Sequence, residues 1–171
     1  MFNKVHSVYK KVINSLIQRE LTITSMESCT GGLISSLITD IDGSSGVFHR
    51  SFVTYDNDAK VEEGVPEGTI FSYGVYSPQT AYAMASACMA KANTNLGIGV
   101  TGSLNTVDPN NADSVSGVVY YCVILKRGNF TDMRTGDIRF QPGKSRPQMK
   151  LEVAEKVIFL VQDLLFSLDG D

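Results

Sequence analysis

The hydrophobic positions near the start of the chain fall on a single helical stripe. Val5, Val8, Tyr9, Val12, Ile13, Leu16 and Ile17 recur at helical spacing and predict an amphipathic helix ending near Glu20. The period then changes. Leu21-Thr22-Ile23-Thr24-Ser25-Met26-Glu27 alternates apolar and polar residues and predicts a strand. Gly31-Gly32 follows, Leu33–Ile38 opens a second helix, and Asp42-Gly43-Ser44-Ser45-Gly46 has turn chemistry. A strand is predicted over Val47–Tyr55, then a short helical piece near Asp58–Glu63.

Ser77-Pro78 marks the clearest helix start, with serine as N-cap and proline at the first helical position. The body, Gln79–Lys91, is rich in alanine, so it can approach a sheet closely. Leu96–Val100 reads as a short buried strand. Gly117–Leu125 and Phe130–Phe140 read as two longer strands, joined as a hairpin around Arg127-Gly128-Asn129. A long helix over Gln148–Leu168 closes the chain, with Val153, Val157, Ile158, Val161, Leu164 and Leu165 along one side. Helices alternating with strands, plus a late hairpin, predict an α/β fold. The expected architecture is a single-domain sandwich over 1–171, with a mixed, mainly parallel sheet flanked by helices. No repeat or linker divides it. The polar stretch Ser103–Ser116 is the one long loop, of a size that is often functional or mobile.

Composition narrows the function classes. At 171 residues, 43% hydrophobic and 19% charged, the chain is globular and long enough for one domain. Its apolar runs are far too short for a membrane span, and Met1–Arg19 mixes lysines with spaced aliphatics unlike a signal peptide. No membrane association is expected. Fifteen basic against eighteen acidic residues, without a basic block, argue against nucleic acid as a partner. Cys29, Cys88 and Cys122 are odd in number and form no C-x-x-C, which fits a reduced, cytoplasmic setting. Only His6 and His49 are available, too few for a His-built metal site and little material for a Ser-His-Asp triad. The chemistry must run on Ser, Thr, Lys, Tyr or carboxylates, with no metal or cofactor expected.

Several patterns dissolve on inspection. Gly97-Ile98-Gly99-Val100-Thr101-Gly102 matches a dinucleotide fingerprint literally, but its glycines lie within a strand and no acid follows at the required distance. Gly97 and Gly99 are read instead as sites of close approach by a neighbouring element. Asp40-Ile41-Asp42-Gly43 starts like a calcium loop and then breaks the ligand series. Asn129-Phe130-Thr131 is a glycosylation sequon with no expected route to modification. His49 is assigned a structural or surface role. Cys29 is read as a packed thiol, although a helix N-terminus beside it would lower its pKa.

The informative segment is Met26-Glu27-Ser28-Cys29-Thr30-Gly31-Gly32-Leu33: a strand ends, small hydroxyl residues follow, a glycine pair turns, and a helix begins. Free N–H groups at that helix start can hold a phosphate or an oxyanion. Ser28 is then either a nucleophile or an N-cap, and spacing alone favours the cap. Tyr55 and Lys60 lie just past the next strand, and neighbouring strand ends of a parallel sheet share one rim. Lys60 can act as a base there only if its pKa is pulled well below its usual value. Thr101-Gly102 adds a third rim segment. Taken singly, Tyr55 is an ordinary strand aromatic, Lys60 a solvated helix residue and Thr101 a turn residue.

Taken in order, the strings have a family likeness. Glu27-Ser28-Cys29-Thr30-Gly31-Gly32, Gly43-Ser44-Ser45, Phe52-Val53-Thr54-Tyr55 with Asn57 and Ala59-Lys60, Gly64-Val65-Pro66, Tyr73-Gly74-Val75 and Thr101-Gly102 resemble the CinA C-terminal domain family. Its characterised active members are nicotinamide mononucleotide deamidases. The resemblance implies metal-independent hydrolysis of the carboxamide of nicotinamide mononucleotide, giving nicotinic acid mononucleotide and ammonia. It implies Ser28 as nucleophile, Lys60 as the group taking its proton, and Tyr55 as a positioning or proton-sharing partner. Thr30, Gly31, Thr101 and Gly102 would line the pocket, with backbone donors near Gly31 or Gly102 for the oxyanion. It further implies a pyridine nucleotide as small-molecule partner, a homo-oligomer, and a stand-alone, divergent version of the family.

The chain departs from the family pattern twice. The glycine-rich loop that follows Thr-Gly is replaced by Ser103-Leu104-Asn105-Thr106-Val107-Asp108-Pro109-Asn110-Asn111, in which Asp108, like the later Asp113, would repel a phosphate. The later Gly-Asp-Arg string appears as Gly143-Lys144-Ser145-Arg146, leaving Arg146 and Lys144 as candidate phosphate ligands. Three readings stay open: the nucleotide amidase, an amidase with a different substrate, and an inactive paralogue serving as a ligand-binding or interaction module.

Overall fold

The computed structural model of the chain describes residues 1–169, so the last two residues of the expected domain lie outside the described residues. The opening stripe forms α1 (Phe2–Arg19), which buries Val5, Tyr9, Val12, Ile13 and Leu16 and ends where Glu20 turns left-handed. In chain order there follow β1 (Ile23–Glu27), α2 (Leu33–Thr39), β2 (Phe52–Val53), α3 (Asn57–Glu62) and α4 (Glu67–Tyr73). Then come α5 (Pro78–Ala92), β3 (Leu96–Ser103), β4 (Val118–Arg127), β5 (Phe130–Arg139) and α6 (Arg146–Ser167). Ser77 Oγ accepts the Thr80 N–H at 3.1 Å, the N-cap its position implies.

The strands form one mixed sheet in the order β2-β1-β3-β4-β5. β1 pairs in parallel with both β2 and β3, whereas β4 runs antiparallel to β3 and β5. Four strands therefore point one way and β4 opposes them. Residues of α1, α2 and α6 share the main apolar core on one face, while α5 packs on the other. A Cβ at Gly97 or Gly99 would collide with the carbonyl oxygens of Ala85 and Ala81 on α5, so these glycines do serve close approach.

Three elements differ from expectation. All five residues of β1 are buried, because helices cover both faces of a central parallel strand; its polar side chains are satisfied internally, as where Thr24 Oγ1 donates to Arg50 O at 2.8 Å. The strand expected over Val47–Tyr55 shrinks to two residues at the sheet edge. Upstream of it the chain leaves the ladder, Val47 O taking the Ile23 N–H at 2.8 Å, and His49 is exposed. Helix α4 was absent from the hydrophobic pattern because it buries no residue and so carries no stripe.

The order of connections decides where a site can form. From β1 the chain passes through α2 to β2 on one side, then returns through α5 to β3 on the other. The reversal opens a crevice at the carboxyl end of β1, the usual ligand position in an open α/β sheet.

Candidate active site

Ser28 is the first residue past the end of β1. Its N–H donates to Val100 O at 3.0 Å, extending the β1–β3 ladder by one bond and fixing the backbone from which the hydroxyl projects. Beside it, β2 ends and Asp56 caps α3 by accepting the Ala59 N–H at 2.7 Å. That cap sets the helix so that Lys60 turns inward. Lys60 is 1% exposed, and its Nζ donates to Thr54 O at 2.8 Å, Asp56 O at 3.0 Å and Ser28 Oγ at 3.2 Å.

Among the described residues no carboxylate contacts this ammonium. Burial lowers the Lys60 pKa to about 8, against a weaker upward pull from Asp56, Cys29 and Asp108. The three acceptors match the three hydrogens of an ammonium. Once one proton is lost, the two carbonyls hold the remaining two, and the lone pair faces the Ser28 hydroxyl.

Glu27 carries a role that the sequence reading missed. Its buried carboxylate accepts the N–H groups of Gly32 at 3.1 Å, Ile34 at 3.0 Å and Ser35 at 2.9 Å. The hydroxyls of Ser35 and Ser25 add bonds at 2.7 and 3.2 Å. Helix α2 has Gly32 at its N-cap position with φ 92° and no capping side chain, so Glu27 supplies the missing acceptor from the preceding strand. The helix start expected to receive a phosphate or an oxyanion is therefore already occupied. The Gly31 N–H is also used, by Ser28 O at 3.0 Å. Among the described residues, the N–H groups of Cys29 and Thr30 donate to no other residue. The signal in the sequence was a helix start without a side-chain cap, close behind an acid at a strand end.

A cleft of about 470 Å³ opens over Ser28, lined also by Cys29, Tyr55, Tyr76, Gly102, Asp108 and Arg146. Tyr55 stands at its mouth, 65% exposed, with its hydroxyl accepting from Arg146 Nη2 at 3.3 Å rather than meeting Ser28 or Lys60. Thr101 lies outside the lining residues; it is fully buried and ties β3 to the chain before α5 by donating to Val75 O at 2.8 Å. Gly102 does line the cleft, but a side chain there would collide with the backbone of Val118 and Val119 in β4. Thr30 and Gly31 face an adjoining hollow with Lys150 and Pro147, and Arg146 lines both spaces. Lys144 is paired with Glu152 at 2.7 Å. Burial pushes the Cys29 thiol up to about 12, so it is a packed thiol and not an activated one.

The opposite wall is formed by residues 103–111, at the end of β3 and in the segment that follows, and hydrogen bonds hold it in place. Asp108 accepts from Tyr76 Oη at 2.6 Å, from Asn111 Nδ2 at 2.6 Å and from the Asn110 N–H at 2.9 Å. These donors hold its carboxyl below the usual range, the Tyr76 hydroxyl contributing most. Asn57 Nδ2 donates to Asn111 Oδ1 at 2.8 Å, tying the wall to α3 across the cleft.

A doubly wound α/β protein with a buried serine–lysine pair at the switch point of its sheet is the class these features define. Residues 5–165 match the family model described as CinA C-terminal domain. The chain belongs to that family. It is 32% identical over 163 residues to a CinA-like protein of Kosmotoga olearia, covering 95% of this chain and 38% of that one. Over 88 residues it is 46% identical to a CinA-like protein of Chloroherpeton thalassium, 51% of this chain and 21% of the relative. It thus spans well under half the length of these curated relatives. Among solved structures, the competence/damage inducible protein CihA from Agrobacterium tumefaciens superposes with a TM-score of 0.81 at 30% identity, covering 96% of this chain and 95% of that one.

Proposed function

We propose that the cleft hydrolyses a pyridine carboxamide, that of nicotinamide mononucleotide or a close relative, through an acyl-enzyme on Ser28. The observation that carries this reading is the buried hydrogen bond between Lys60 Nζ and Ser28 Oγ at 3.2 Å, with no carboxylate among the described residues in contact with the amine. Neutral Lys60 accepts the Ser28 proton as Oγ attacks the amide carbon. The carbonyl oxygen becomes the oxyanion of a tetrahedral intermediate, and the N–H of Cys29, which lines the cleft, is the free donor next to the nucleophile. Lys60 then returns the proton to the departing nitrogen, which leaves as ammonia, and an ester remains on Ser28. Water attacks that ester with Lys60 again as base, releasing the carboxylic acid and restoring the hydroxyl.

Tyr55 and Arg146 hold the ligand at the mouth, Gly102 shapes the wall, and Thr30 with Gly31 lines the adjoining hollow. No step calls for a metal. Ser28→Ala and Lys60→Ala should each lower ammonia release from nicotinamide mononucleotide by at least about a hundredfold, within the usual range for a nucleophile or its base. Near-wild-type release from both variants would refute the roles given to these residues.

A further inference from the structure

The charges that face the cleft do not suit the doubly anionic end of a nucleotide. Asp56, Asp58 and Asp108 line it against one exposed cation, Arg146, which donates a single hydrogen bond to Tyr55 at the mouth. Lys60 lies beneath the floor with its hydrogens committed to Thr54 O, Asp56 O and Ser28 Oγ, and Lys144 is engaged by Glu152. Lys150 opens into the adjoining hollow rather than the cleft.

Asp108 is the acid best placed to act on a ligand. Three donors hold it on the wall, and one of them is the hydroxyl of Tyr76, whose side chain lines the same space. A carboxylate fixed behind a tyrosine hydroxyl makes that ring more electron-rich, and tyrosine faces attract cations. Tyr55 lines the cleft as well. Two aromatic rings, three carboxylates and a nucleophile on the floor describe a receptor for a flat cation that bears an amide.

We infer that the preferred substrate is a carboxamide on a permanently cationic ring without a phosphate, a pyridinium nucleoside such as nicotinamide riboside rather than its nucleotide. This rests on the amidase reading and refines it. The chemistry of the floor is unchanged; the wall selects by charge, attracting the pyridinium and opposing the phosphate dianion.

Two measurements test it. In steady-state ammonia release, kcat/KM for nicotinamide riboside should exceed that for nicotinamide mononucleotide by at least about tenfold at low ionic strength, and the ratio should shrink as salt screens the wall. Asp108→Asn should narrow the ratio at least about threefold through the nucleoside KM with kcat held, and Asp58→Asn should shift it the same way if the first variant folds poorly. Equal or greater efficiency with the nucleotide, or a ratio unmoved by both variants, overturns the inference and leaves the amidase standing. Calorimetry on Ser28→Ala separates the two ideas. Tighter binding of the nucleoside than of the nucleotide, with neither hydrolysed by the wild-type protein, supports the recognition and removes the amidase. Tighter binding of the nucleotide overturns the inference whatever the turnover.

Discussion

The floor of the cleft and its wall are built by different means. On the floor, Ser28, Lys60 and Glu27 are all buried, and their partners are mainly backbone atoms at the ends of β1 and β2 and the start of α2. Each floor residue is tied to the sheet itself. On the wall, Asp108, Asn111 and Ser114 are held by side chains and by one another, and much of the segment is exposed. A change on the floor disturbs both chemistry and fold. A change on the wall alters what the chemistry meets, which is how an altered binding loop can coexist with an intact serine–lysine pair.

The largest expected effect separates the two by pH. With Lys60 lowered to about 8, the proposed mechanism requires its neutral form, so kcat/KM should fall about tenfold for each unit below pH 8. Asn57→Ala should leave that limb in place, whereas Asp108→Asn should move it to lower pH, because the Asp108 charge helps hold the Lys60 pKa up. The same group makes stability rise with pH: folded Lys60 releases its proton near 8 and the unfolded residue near 10.5, so between these values the unfolded chain binds more protons. Lys60→Met should flatten that rise in denaturant titrations run across the interval.

Next comes Glu27→Ala, which removes the acceptor of three N–H groups at the start of α2 and leaves the Ser25 and Ser35 hydroxyls only their bond to each other. The loss should be about 3 kcal/mol or more, read from the denaturation midpoint, and Glu27→Gln should recover part of it. A midpoint unchanged in Glu27→Ala would show that α2 needs no such cap. On the wall, Asn57→Ala removes the bond to Asn111 and should cost no more than about 1 kcal/mol of stability while raising KM several-fold. Smallest of all, Cys29→Ala keeps the backbone N–H and removes only a thiol pushed up to about 12. Its activity should stay within about twofold of wild type, and the native thiol should resist alkylation at neutral pH. Rapid labelling would contradict the packed environment.

The comparison also separates what could be read in advance. Helices α1, α5 and α6 were legible because their stripes and the Ser77-Pro78 cap are local patterns, and the glycines of β3 were rightly set apart from a nucleotide fingerprint. The pairing of Ser28 with Lys60 was legible once strand ends could be assigned to a shared rim. Glu27 was not, because the alternation around it reads equally well as an ordinary strand. Its meaning depends on α2 lying behind that strand, which no local pattern states. Tyr55 shows the reverse case: the family resemblance implied a positioning or proton-sharing partner of the pair, and the fold turns the ring outward to Arg146.

By itself the sequence determined the periodicities, and with them most of the helices, the strands of the late hairpin and the identity of the chemical groups available. Those properties follow from neighbours a few residues apart. Only the tertiary structure decided that Lys60 would lie dry against Ser28, that Glu27 would cap α2, and that Asp108 of a distant loop would face the same cleft. Such contacts join residues widely separated along the chain, and burial, which sets the strength of each interaction, exists only once the layers have closed.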